Sequence, residues 1–140
     1  ILHGGGAKRD ELWSFRLDDQ RWRKLEPSLE ALTVKEAPTC MREAVYIPSE
    51  DVLLTASFPS GRDEAPGFYA YRVEENAWHQ VELAAAEGRN MRDMVAQNRA
   101  WTYDPARNLV LMVLDDRRSN AGGTSVFALR YKRAQATGVR

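Results

Sequence analysis

One cysteine, Cys40, and two histidines, His3 and His79, are all this chain of 140 residues offers of the side chains that most often hold transition metals. A lone cysteine excludes a disulfide within the chain and nearly excludes a thiolate metal site. No cofactor is therefore expected. Charge of one sign is also lacking: Lys plus Arg number 20, Asp plus Glu number 20, and the formal net charge is zero. Binding to nucleic acid or to an anionic membrane surface needs a basic excess, so neither is expected. No apolar run approaches the roughly 18 residues of a membrane-crossing helix, so no membrane insertion is expected. The opening Ile1-Leu2-His3-Gly4 has the pattern of a strand, not of a signal peptide, and leaves localisation open. What is present is an ordinary core-forming composition, 44% hydrophobic and 29% charged.

The chain repeats itself. Leu12-Trp13-Ser14-Phe15-Arg16-Leu17 aligns with Phe68-Tyr69-Ala70-Tyr71-Arg72-Val73 at an offset of 56, and that with Val126-Phe127-Ala128-Leu129-Arg130-Tyr131 at 58. Each copy alternates with period two, which predicts a strand. Trp22 follows Trp13 by nine residues, as Trp78 follows Tyr69. Between them Asp18-Asp19-Gln20-Arg21 and Glu74-Glu75-Asn76-Ala77 read as hairpin turns. Upstream, 44–54 aligns with 101–111 at an offset of 57, matching Tyr46 to Tyr103 and Pro48 to Pro105. Each is a strand, a turn holding a proline that cannot donate to a ladder, and a second strand.

The complete unit thus has four strands, a to d, near 42–47, 52–57, 67–73 and 77–83. The first unit has b, c and d near 1–5, 11–17 and 22–25. The last has a, b and c near 99–103, 109–114 and 125–131. A period of 56–58 with four strands per unit is a propeller-blade signature. The expected organisation is an incomplete blade over 1–28, a complete blade over 38–83, an inter-blade loop over 84–96, an incomplete blade over 97–133 and a tail over 134–140.

These residues resemble a kelch repeat, as in kelch proteins and the central domain of galactose oxidase. Gly4-Gly5-Gly6, Trp13 and Trp22 carry the pattern in the first unit, Tyr69 and Trp78 in the second, and Phe127 in the third. Ala56-Ser57 and Asp115-Asp116 replace the glycine pair. The resemblance implies an all-β fold, a partial kelch-type propeller of two and a half to three four-stranded antiparallel blades. Known rings hold about 4–8 blades. The expectation is therefore an arc truncated at both ends, with further blades supplied by the missing chain. Assembly of a ring from several chains is the alternative.

Few residues suggest catalysis. His3 and His79 fall on different strands, and no spacing joins them. The resemblance raises a copper-radical site built on Cys and Tyr, but no motif around Cys40 matches, and Cys40 reads as a small apolar residue opening a strand. Gly4-Gly5-Gly6 lacks the Lys and the helix of a phosphate loop. Arg16, Arg72 and Arg130 share the small-residue face of strand c and are expected to bond the carbonyls of inter-blade loops. The acidic pairs read as solvated turns.

Geometry locates the candidate site. In an up-and-down blade the d–a and b–c loops leave from the same end. These loops hold Arg9, Arg42, Arg62, Arg99, Arg117, Arg118 and Asn120. Arginine offers a planar fork suited to carboxylates. The chain alone is read not as an enzyme but as a scaffold recognising a protein or small acidic ligand on this face. The alternative is a carbohydrate-binding part of a larger secreted enzyme, an oxidase or glycan-active protein, with catalysis outside these residues.

Overall fold

The computed structural model describes residues 1–3, 10–33, 36–39, 44–57, 67–82, 98–115 and 123–132. Ten strands and no helix occur among them. They are β1 (Leu2–His3), β2 (Leu12–Arg16), β3 (Arg21–Leu25), β4 (Ala44–Ile47), β5 (Val52–Ser57), β6 (Gly67–Arg72), β7 (Ala77–Val81), β8 (Asn98–Asp104), β9 (Leu109–Asp115) and β10 (Thr124–Leu129). Three antiparallel sheets result, ordered β1-β2-β3, β4-β5-β6-β7 and β8-β9-β10. The strands expected from the repeat are all found, with bounds shifted by a few residues. All-β, antiparallel architecture follows directly from the period-two segments and the short turns between them.

Four hairpins share one turn. Strand pairing closes loops of four residues at 17–20, 48–51, 73–76 and 105–108. The last residue of each, Gln20, Asp51, Asn76 or Asn108, has a left-handed φ of 46–52°. Asn and Asp tolerate this region better than other side chains. Both turns expected between c and d therefore begin one residue earlier than the acidic clusters suggest.

The middle sheet is covered on both sides. Every residue of β5 is buried, as are all but the last of β6. One face, with Val52, Leu54, Ala56, Phe68 and Ala70, packs on Trp101, Val110, Met112 and Leu114 of the third sheet. Phe68 and Trp101 stack with centroids 5.5 Å apart. The other face, with Leu53, Tyr69, Tyr71 and Trp78, packs on Leu12 of the first sheet and Leu32 of the connector that follows it. Each large side chain so buried contributes about 1.5–3 kcal/mol. At Gly67 an added Cβ would lie 3.2 Å from the Tyr69 ring, so a glycine lets that ring fold back.

The sheets are also joined at their margins. After β3 the chain crosses to the outer edge of β7, where Ser28 N donates to Asn76 O at 2.8 Å and Trp78 N to Ser28 O at 3.0 Å. At the inner edge β4 lies beside β8 without pairing to it.

Candidate ligand-binding face

Chain direction alternates along each sheet, so the turns at 17–20, 48–51, 73–76 and 105–108 gather at one end. The b–c and d–a connections leave from the other. The candidate residues are expected at that second end. Arg9, Arg42, Arg62, Arg117, Arg118 and Asn120 lie outside the described residues, as do Cys40 and Gly4-Gly5-Gly6. Arg99 lies in β8, where pairing steps from Asn98–Leu114 to Ala100–Val113. Arg99 is thus the extra residue where the β8–β9 register shifts, as at a β-bulge. Below this end Thr39 N donates to the buried Ser57 Oγ at 2.8 Å, tying the d–a connector to the b–c end of β5.

The opposite end is held by a repeated set of tyrosine hydrogen bonds. Tyr46 Oη donates to Asp51 Oδ1 at 2.6 Å, Tyr71 Oη to Asn76 Oδ1 at 2.9 Å and Tyr103 Oη to Asn108 Oδ1 at 3.0 Å. In each, a strand-end tyrosine ties down the left-handed residue five positions on. The signal was visible as Tyr46/Asp51 and Tyr103/Asn108 at an offset of 57, with Tyr71/Asn76 between them. The first sheet has Phe15 and Gln20 in those places and no hydroxyl to donate. Ser49 Oγ donates to Asn108 Oδ1 at 3.1 Å, carrying the network from the middle sheet to the third. The bond to Asp51 raises the Tyr46 pKa; burial, then the Asp51 charge, raises that of Tyr71.

The strand-c arginines differ from expectation. Arg16 bonds the Asp18 carboxylate, and Arg72 Nη1 donates to Glu75 Oε1 and Oε2 at 3.1 and 3.3 Å. Arg72 and Tyr131 line one cavity. Here the turn sets a carboxylate two or three residues away, and a charge-assisted bond is about twice as strong as a neutral one. Burial opposes the Arg72 charge, but the neighbouring Tyr131 hydroxyl and the Glu75 carboxylate outweigh it and hold its pKa above the ordinary value. The Arg16 bond likewise holds the Asp18 pKa below its usual range. Arg130 is exposed.

Among the described residues, a cavity lies on each side of the middle sheet. One, of about 500 Å³, is lined by Arg72, His79, Val81, Thr33, Tyr131 and Lys132, among others. In its wall His79 Nε2 lies 2.8 Å from Glu75 Oε2, so Arg72 and His79 share one carboxylate. The other, of about 330 Å³, is lined by Ile1, Tyr46, Asp51, Leu53 and Val73. Among the described residues no group of three or more His, Cys, Asp or Glu is placed to hold a metal.

Comparison with known proteins returned no matching family model, no matching curated protein and no matching solved structure.

Proposed function

We propose that the three sheets are consecutive blades of a kelch-type propeller, and that the propeller is a recognition scaffold whose Arg-bearing d–a and b–c end receives an acidic or carboxylate-bearing partner. The observation that carries the reading is the repeated stacking. The first sheet packs on the second and the second on the third, always through corresponding strand faces. Both outermost faces remain apolar: Phe15 and Trp22 on the first sheet are 38% and 54% exposed, and Val126 on the third is 64% exposed. Such faces suit further blades. The approach of β4 to β8 fits innermost strands converging on a propeller axis. Antiparallel up-and-down order supports the reading that the arginine-bearing connections share one end, the end of β8 where its register with β9 shifts at Arg99.

The test pairs Arg42→Ala with Arg99→Ala and measures binding of a labelled hexaglutamate peptide by fluorescence anisotropy. The double variant is expected to bind about tenfold more weakly. Arg16→Ala, at the opposite end, is expected to leave binding unchanged. Equal affinity in the double variant and the parent overturns the reading.

A further inference from the structure

The repeat that relates the middle and third sheets matches Arg42 to Arg99 and Ser57 to Leu114, at the offset of 57 that joins Tyr46 to Tyr103. In the middle sheet Val45 stands opposite Leu54 and Ala44 opposite Thr55. Antiparallel partners step in opposite directions along their chains, so an unbroken ladder would bring Arg42 opposite Ser57. In the third sheet Ala100 stands opposite Val113, and an unbroken ladder would bring Arg99 opposite Leu114. The two arginines thus belong to the same rung in neighbouring sheets.

In the third sheet that rung goes to another residue. Asn98 pairs with Leu114, and Arg99 is passed over. In the middle sheet Ser57 meets Thr39, three residues ahead of Arg42. Its Oγ accepts from Thr39 N at 2.8 Å and lies 3.1 Å from Thr39 Oγ1. Extended chain advances about 3.3 Å per residue, so a strand running straight back from Ala44 would carry Thr39 about 10 Å past Ser57. Thr39 therefore claims the Ser57 side of the rung. Ser57 is fully buried, and its counterpart Leu114 is equally buried but apolar. Burying a hydroxyl is unfavourable unless it is bonded. A serine where the repeat otherwise sets leucine marks a local demand for that bond.

We propose that Ser57 is a positioning residue for the binding end. Its hydroxyl anchors Thr39 and so holds Arg42 out of the β4–β5 ladder, as the register shift holds Arg99 out of the β8–β9 ladder. Because β4 lies beside β8, the two equivalent arginines form a two-point fork for neighbouring carboxylates of an acidic chain. Arginine suits this task because each guanidinium can take a carboxylate through two parallel bonds. The clamp matters for recognition only if that end receives an acidic partner, so it rests on the function proposed above.

The experiment is a double-variant cycle on the full chain. Anisotropy of labelled hexaglutamate reports affinity, and circular dichroism shows that each variant keeps its fold. Ser57→Ala is expected to weaken binding about fivefold, the worth of one hydrogen bond. Combined with Arg42→Ala it is expected to weaken binding no further than Arg42→Ala alone, because a positioning residue acts through the group it positions. Thr39→Ser, which keeps both the amide and the hydroxyl, is expected to bind as the parent does. Should Ser57→Ala unfold, Thr39→Pro removes the donor amide without altering β5 and takes its place in the cycle. Unchanged affinity in Ser57→Ala, or an equal loss with and without Arg42, overturns the clamp and leaves the arginine face to stand on its own variants. A parent chain that does not bind hexaglutamate overturns both.

Discussion

Tyr71 shows how one hydroxyl organises a turn. Its ring is buried against Trp78, while its Oη reaches Asn76, the residue that takes the left-handed backbone. Tyr71→Phe keeps the packing and removes the bond, at an expected cost of about 1 kcal/mol in urea unfolding near neutral pH. Tyr46 and Tyr71 both have pKa values raised above the ordinary 10.0 in the folded state. A raised folded value favours the protonated form, so its stabilisation is full below the unfolded pKa and is lost as pH rises through the folded one. Stability should therefore fall above about pH 10, and Tyr71→Phe should shrink that fall. An unchanged alkaline slope in the variant would assign the loss to other groups.

At the scale of the element, the four hairpins use one loop length and one φ pattern, but only three have the tyrosine bond. The hairpin of β2 and β3 has Phe15 and Gln20 instead. Phe15→Tyr with Gln20→Asn should install the missing bond and relieve the left-handed glutamine. The expected gain is about 0.5–1.5 kcal/mol in urea unfolding. A lowered urea midpoint would show that the bond depends on its neighbouring sheet. The strands themselves were legible because they alternate with period two and return at 56–58. The turn residues were read one position late because Asp18-Asp19 and Glu74-Glu75 draw the eye, whereas Gln20 and Asn76, which take the left-handed φ, set the register.

At the scale of the whole molecule, the middle sheet is the keystone. Leu54 lies fully buried between β4 and β6 on the face that meets the third sheet. Leu54→Ala is expected to cost about 2–5 kcal/mol, and Leu111→Ala, at the matching half-buried place on the third sheet's far face, clearly less. Chemical unfolding followed by both tryptophan fluorescence and circular dichroism checks this. Equal losses would mean that the far face is covered in solution.

The amino-acid sequence by itself determined the strands, their pairing order and the ends at which their connections emerge. These are local consequences of alternation and short hairpin turns. It set the expectation that Arg9, Arg42, Arg62, Arg99, Arg117, Arg118 and Asn120 share one end, but loops carry no periodicity to say how they converge. Only the tertiary structure decided which sheet face meets which neighbour, that Arg72 bonds Glu75, and that a cavity opens between Arg72 and Tyr131. The physical reason is distance along the chain. Hairpin partners are chosen within a few residues, whereas face packing joins groups such as Arg72 and Tyr131 only after whole sheets have stacked.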